Sequence, residues 1–113
     1  EGSIQGVYAY QTIETLAWDT LVTVLTLAHQ SLAHEGFLLI ETYNPYCYQG
    51  LHNFYATPDN RKPIAPQLLA MCLKAMQFND IQYFFSHPIE TAVETLDHDH
   101  FHLYQYYSIL AYK

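Results

Sequence analysis

The residues able to do chemistry sit in the middle of the chain and near its end. Tyr43, Tyr46, Tyr48, Phe54 and Tyr55 fall within one stretch from Glu41 to Pro66. Aromatic side chains with flat apolar faces and polar edges suit sugar rings, which stack their C–H faces on them and hydrogen-bond at the rim. The plainer role of any single ring is to pin a long loop onto the helices beneath. In the same stretch His52 fits a hydroxyl, and Arg61 fits a phosphate or carboxylate. Each alone is more often an ordinary surface residue. Near the end, Asp97-His98-Asp99-His100-Phe101-His102 alternates imidazoles. On a strand, His98, His100 and His102 would share one face, and imidazoles suit zinc or nickel. A structural site needs four placed ligands and no C-x-x-C pair accompanies these, so the segment reads as a solvated loop and no metal site is assigned. Cys47 has no nucleophile setting. Cys72, Met71 and Met76 read as packing residues of a helix.

The elements that must position these side chains follow from periodicity. Ile4 to Tyr10, with Val7, Tyr8 and Tyr10, is a strand. From about Asp19 to Ala33, Leu21, Val24, Leu25, Ala28 and Leu32 recur at helical spacing, with Asp19 or Thr20 as cap and Gly36 as terminator. Phe37-Leu38-Leu39-Ile40 is a continuous apolar run, as in a strand covered on both faces. The stretch Glu41 to Pro66, with Pro45, Pro58, Pro63 and Pro66, reads as a long ordered loop, and such loops are usually functional. Pro66 opens a second helix, running to about Phe78, with Leu69, Cys72, Leu73 and Met76 on its apolar face. Ile81 to Phe85 and Tyr104 to Tyr112 are two further strands, with Ser86 to His102 as a surface loop between them. Strands alternating with helices give an α/β layered fold with a mostly parallel sheet. The last two strands lack a helix between them, so they pair as an antiparallel hairpin at one edge.

Composition narrows the function classes. The 113 residues suffice for one domain. Half are hydrophobic and 13% are charged, which excludes disorder. Four basic residues against 11 acidic ones give a formal charge of -7, a field that repels nucleic-acid backbones. Two cysteines make no disulfide framework, and the default setting is reducing and cytoplasmic. No run of about 18 apolar residues is present, so no membrane span is expected. The chain opens at Glu1 without methionine or signal-peptide pattern, which raises the expectation of a fragment.

The order β-α-β-loop-α-β-loop-β resembles the C-terminal half of a class I S-adenosylmethionine-dependent methyltransferase. The segment Glu1 to Val7 resembles the acidic-glycine-small lead into that family's fourth strand. Gln11-Thr12-Ile13-Glu14-Thr15-Leu16 resembles its x-x-I-E-H-L. Leu32 to Thr42 resembles L-x-P-G-G-x-L-x-x-E-T at the fifth strand, and Tyr43-Asn44-Pro45 then matches x-N-P. Asn53-Phe54-Tyr55 with Pro58, Arg61, Pro63 and Pro66 resembles N-F-Y-x-D-P-T-H-x-x-P-x-x-P, a pattern similar to a bacterial branch linked to O-antigen and other surface polysaccharides. The resemblance is clear over residues 1 to 85 and weaker over the final strand.

What the resemblance implies is a partial Rossmann-like methyltransferase sheet, equivalent to strands four to seven, mostly parallel with an antiparallel C-terminal pair. The cofactor of such folds crosses the carboxyl ends of the strands. Tyr10 and Gln11 would border it and Glu14 would lie slightly further out; the alternative for Gln11 and Glu14 is capping of the following turn. Glu41, Tyr43, Asn44, His52, Asn53, Phe54, Tyr55 and Arg61 would form the acceptor side, for a sugar or glycan. The chain departs from the family in lacking a G-x-G-x-G loop, in Thr15 where the family has His, and in Thr57-Pro58-Asp59-Asn60 where it has D-P-T-H. A lost His removes the side chain best able to move a proton near neutral pH. The catalytic residues are left unassigned. S-adenosylmethionine is thus expected in the complete family and not on this chain alone. Two readings stay open: the tail part of an enzyme, or a noncatalytic interaction module. Either way the Val7–Tyr10 strand has an unpaired edge, which predicts self-association, most simply a two-fold dimer, or pairing with an N-terminal half.

Overall fold

The computed structural model describes residues 2–89 and 101–113, with backbone alone at Phe101. Four strands and three α-helices follow one another: β1 (Ile4–Tyr10), α1 (Trp18–Ser31), β2 (Leu32–Tyr43), α2 (Tyr48–Tyr55), α3 (Pro66–Ala75), β3 (Asn79–Pro88) and β4 (Tyr104–Tyr112). Short 3-10 turns lie at Ile13–Thr15 and Phe101–Leu103.

The sheet order is β1-β2-β4-β3. β1 pairs with β2 in parallel, and β4 is antiparallel to both β2 and β3. Three strands therefore run one way and only β4 is reversed. The antiparallel pair lies at one edge as expected, with β4 inserted beside β2 and β3 outermost. β1 holds the other edge.

Alternation along the strands sorts side chains between two faces. On one face Leu38 and Ile40 of β2 and Tyr107, Ile109 and Ala111 of β4 join Leu21 and Leu25 of α1 and Leu69 and Leu73 of α3 in one core. Burying each such leucine contributes about 1.5–3 kcal/mol. On the other face, register places Tyr8 beside Leu39 and Tyr10 beside Glu41. It likewise places Tyr43 beside Tyr106 and Phe84 beside Ser108. Among the described residues only α2 contacts this face, at its Tyr43–Tyr106 end.

Several boundaries differ from the sequence reading. α1 starts at Trp18 behind Ala17, with no side-chain cap from Asp19 or Thr20, and Val24 is exposed. Gly36 does not end the helix. α1 passes straight into β2 at Leu32, and Gly36 lies inside the strand. There the chain bulges: two steps along β1, from Ile4 to Gly6, are matched by five along β2, from Leu32 to Phe37. Glu35 adopts φ 64 in this excursion, and a Cβ on Gly36 would stand 2.9 Å from the Ala33 carbonyl oxygen. The glycine is needed for close approach, not for a helix cap.

The long loop contains a helix, α2. Its Tyr, Asn and Gly content has poor helix propensity, and packing overrides it. Gly50 lets α2 sit against backbone: a Cβ there would lie 2.5 Å from the Asn44 carbonyl oxygen and 2.6 Å from that of Gln105. α3 opens at Pro66 as expected but ends at Ala75 rather than Phe78. Gln77 turns left-handed at φ 76. The Gln77 N–H donates to Lys74 O, and the Phe78 N–H to Leu73 O, each at 3.0 Å. That is a Schellman closure with glutamine in the usual glycine position. β3 extends past Phe85 to Pro88, so Ser86 to Pro88 belong to a strand rather than a loop. Met71 is exposed rather than packed. No helix among the described residues is long and apolar enough to cross a membrane.

Candidate functional site

β1 and β2 finish side by side, and this is the end at which open α/β sheets bind ligands. Tyr10 pairs with Glu41, and the Gln11 N–H donates to the Glu41 carbonyl oxygen at 2.8 Å. Gln11 then takes a left-handed turn (φ 47) that leads the chain away from the sheet. Its Nε2 donates to the Tyr10 hydroxyl at 3.3 Å. The first turn of β4 comes up from the opposite direction and brings Tyr106 beneath the same point. Tyr106 packs 5.4 Å from the Tyr43 ring, and Asn53 of α2 donates to its hydroxyl at the 3.5 Å limit and to Gln105 Oε1 at 2.8 Å. Loss of hydration and the neighbouring Tyr43 phenol push the Tyr106 hydroxyl above its ordinary value, while hydrogen bonds from Asn53 and Gln11 hold it back. Tyr106 thus joins Tyr10 and Gln11 on one side to Tyr43 and Asn53 on the other.

The remaining sequence candidates divide. Phe54 is buried and meets the Tyr43 ring edge-on at 5.8 Å, so it supports the wall from behind. Tyr55 packs on Phe54 from outside and is exposed. Asn44 is fully buried: Nδ2 donates to Tyr104 O, and Oδ1 accepts from the Tyr46 N–H. These bonds anchor the β2–α2 connection to β4. His52 is exposed on α2. Arg61 lies on the other side of Glu14, where its backbone N–H donates to Glu14 O and its Nε to Thr15 O. Tyr46 reaches Gln67 instead of the cluster, and Tyr48 is 86% exposed.

Glu14 is 1% exposed and turned inward. Its Oε1 accepts from Thr42 Oγ1 at 2.9 Å, and its enclosed Oε2 has no partner. Burial pushes its carboxyl above the usual range, and hydrogen bonds from its own backbone and from Thr42 oppose this. Glu41 lies on the opposite face, half-buried, and its Oε2 is likewise enclosed without a hydrogen-bond partner.

Sequence reasoning missed Tyr106, Gln105 and His87. Alternation in the last strand sets Tyr104 and Tyr106 on one face, which was a usable signal; their meeting with Tyr43 depended on the order of the sheet. His87 adopts φ 58, and its ring stands edge-on to Tyr106 at 5.1 Å, with Nδ1 3.1 Å from Ser86 Oγ. In regular alternation His87 would share the core side with Phe85, so the left-handed backbone is what re-aims it. Asp97 to His100 lie outside the described residues. Among the described ones no group of three or more His, Cys, Asp or Glu is placed to hold a metal ion. A cavity of about 490 Å³ lined by His34, Glu35, Asp80 and Lys113 opens at the opposite end of the sheet.

A mixed sheet in the order β1-β2-β4-β3, with α1 and α3 on one face, α2 at the end of the other and a reversed strand inserted near the edge, matches in fold the partial Rossmann-like sheet found in class I S-adenosylmethionine-dependent methyltransferases. No family model matches the sequence, and no curated protein matches it. Solved structures do. A SAM-dependent methyltransferase from Archaeoglobus fulgidus superposes with TM-score 0.84 at 24% identity, over 97% of this chain and 59% of that one. A possible histamine N-methyltransferase from Thermotoga maritima gives 0.70 at 16% identity, over 99% and 56%. Phosphoethanolamine N-methyltransferase 2 from Haemonchus contortus, in complex with phosphomonomethylethanolamine and S-adenosylhomocysteine, gives 0.69 at 14% identity, over 99% and 34%. The chain therefore spans less than two thirds of each.

The polar side chains just beyond β1 already have partners within the chain. Glu14, the nearest carboxylate beyond β1, is committed to Thr42 inside the core. Gln11 is engaged with Tyr10 and Tyr106. No described glycine has a positive φ, so no glycine turn of the kind that approaches a nucleotide is formed. What the described residues build at this end is an aromatic wall of Tyr10, Tyr43 and Tyr106, braced by Asn53.

Proposed function

We propose that this chain is the C-terminal portion of an S-adenosylmethionine-dependent methyltransferase domain and supplies its acceptor-side wall. The observation that carries this is the sheet order, which reproduces one part of the fold and stops at a free β1 edge. The solved neighbours continue beyond the region shared with this chain. In this reading an N-terminal half pairs with β1 and brings most of the cofactor's contacts. Tyr10 and Gln11 border the cofactor, with Glu14 supporting the turn between them and Arg61. Glu41, Tyr43, Asn53 and Tyr106 face the acceptor, while Asn44, Phe54 and Tyr55 hold the wall, His52 lies at its rim and Arg61 holds the Glu14 turn. The acceptor is a sugar or glycan of the bacterial surface-polysaccharide kind, given the Asn53-Phe54-Tyr55 segment and the tyrosine faces, and the setting is cytoplasmic.

A second reading is favoured by the inward-turned Glu14: a noncatalytic methyltransferase-like module that interacts through β1. Two measurements test these readings: the first bears on both alike, and the second separates them. Isothermal titration of S-adenosylmethionine into the 113-residue chain should show no useful affinity; a dissociation constant at or below about ten micromolar, about 7 kcal/mol of binding, contradicts the assignment of cofactor contacts to another segment. The coding sequence upstream of Glu1 should encode a strand followed by a glycine-rich turn. A start codon within a few residues of Glu1 would favour the noncatalytic module.

A further inference from the structure

Among the described residues, Glu41 is the one carboxylate on the face of the sheet that α1 and α3 leave bare at this edge. Tyr10 is its direct partner across β1, Tyr8 lies diagonal to it, and Tyr43 is the next residue of β2 on the same face. Tyr8 and Tyr10 are 58% and 54% exposed, with ring centroids 6.3 Å apart, so their faces are open to a ligand. The enclosed Oε2 of Glu41 accepts no hydrogen bond. Its charge is felt nearby: partial loss of hydration and the Glu41 carboxylate both push the Tyr8 phenol up.

The chain's four cations are spent elsewhere. Arg61 is bonded to Thr15 O, Lys62 lies 5.5 Å over the Trp18 ring, Lys113 donates to Leu32 O, and Lys74 is on α3 across the sheet. A carboxylate short of donors costs free energy until a donor reaches it, and a charged donor satisfies it best. Tyrosine faces attract cations within about 6 Å of the ring centroid. The net charge of -7 adds a field that concentrates cations near the surface.

We propose that Glu41, with Tyr8, Tyr10 and Tyr43 around it, is a subsite for a protonated amine carried by the ligand of this edge. The subsite deepens the reading above, on which this edge faces an acceptor, by giving that acceptor a cationic recognition group. Its geometry needs no cofactor, so it is tested on the 113-residue chain.

The probes are two matched pairs: 2-phenylethylamine against 2-phenylethanol, and glucosamine against glucose. Each is titrated at pH 7 into labelled protein and followed by the ring resonances of Tyr8, Tyr10 and Tyr43. We expect at least one amine to bind about tenfold tighter than its neutral partner and to shift those rings. Which pair discriminates tells whether the amine sits on an aromatic or a sugar frame. Glu41→Gln should abolish the preference. Glu35→Gln, at the far end of β2, should leave it intact, which separates a local carboxylate from the general field. If Glu41→Gln fails to fold, Tyr10→Leu serves instead, and should weaken the amine several-fold without changing the neutral partner. Equal binding within both pairs, shifts that map away from these tyrosines, or loss of the preference in Glu35→Gln would each overturn the proposal. Those outcomes leave the methyltransferase reading standing, because that reading fails on the upstream sequence and not on amine binding.

Discussion

Tyr107→Phe is a deletion of one oxygen whose cost can be worked from the structure. Tyr107 is fully buried in the centre of the sheet, paired with Thr42 on one side and Phe85 on the other. Its hydroxyl donates to the Ile64 carbonyl oxygen at 2.7 Å, and burial pushes its titration far above the ordinary phenol range. Ile64 belongs to the strap between α2 and α3 and is itself buried, so no water replaces the lost donor. The net value of a hydrogen bond is about 1 kcal/mol, and stranding a buried carbonyl adds about 1–3 kcal/mol. The expected loss is therefore about 2 kcal/mol, or a fall in melting temperature of about 8 °C for a domain of this size. Tyr106→Phe, one residue away, is the control. Its hydroxyl is half-buried and its contact with Asn53 is long, so it should cost less than about 0.5 kcal/mol. Urea melts read both. The strap also carries Arg61, whose backbone N–H donates to Glu14 O. Loosening it should speed tryptic cleavage after Arg61 in Tyr107→Phe and not in Tyr106→Phe. Equal destabilisation of the two variants, or a loss below about 0.5 kcal/mol for Tyr107→Phe, would refute the reasoning from burial.

Three further outcomes are expected. Glu14 binds its proton more tightly in the folded chain than in the unfolded one, so the stability it contributes is complete below the unfolded carboxyl range and is lost as pH rises through the folded value; Glu14→Gln should gain on the parent as pH rises from acid to neutral in paired urea melts, and a constant difference across that range would show that folding does not raise this carboxyl. Gln77→Gly removes a left-handed side-chain penalty at the end of α3 and should stabilise by about 1 kcal/mol, a thermal melt giving no gain being the contrary result. In isolation the chain should self-associate through the β1 edge, scattering light at micromolar concentration as twice its mass; a monomer with freely exchanging β1 amides would refute this, since the edge would then stand open and unpaired.

The strands were legible because they repeat with period two or run continuously apolar: Ile4–Tyr10 and Tyr104–Tyr112 stand where the side-chain pattern puts them. α3 was legible at its start because proline is at home in a first turn, and illegible at its end because glutamine there does what glycine ordinarily does. α2 was hidden for a different reason. Its helicity comes from docking on β4, and Tyr, Asn and Gly at Tyr48–Tyr55 carry no local sign of it. Gly36 was misplaced because a glycine after a helical run looks like a terminator, whereas its role depends on how near β1 passes. Proximity of the carboxyl-edge candidates was legible only in part. Tyr10, Gln11, Tyr43 and Asn53 do meet, but through Tyr106, which lies far along the chain and becomes their neighbour only once β4 inserts beside β2.

Gly50 sets how closely α2 stands against the sheet. The missing side chain is the whole gap between helix and sheet, since a single methyl group would press on the Asn44 and Gln105 carbonyl oxygens at once. Asn53 lies almost one helical turn further on, and Phe54 follows it. A substituent at position 50 would tip α2 outward as a lever, with Asn53 leaving Gln105 and Phe54 withdrawing from Tyr43 together. The standoff of α2 from the sheet is thus set at one position, and it is open to change while Asn53, Phe54 and Tyr43 all stay the same residues.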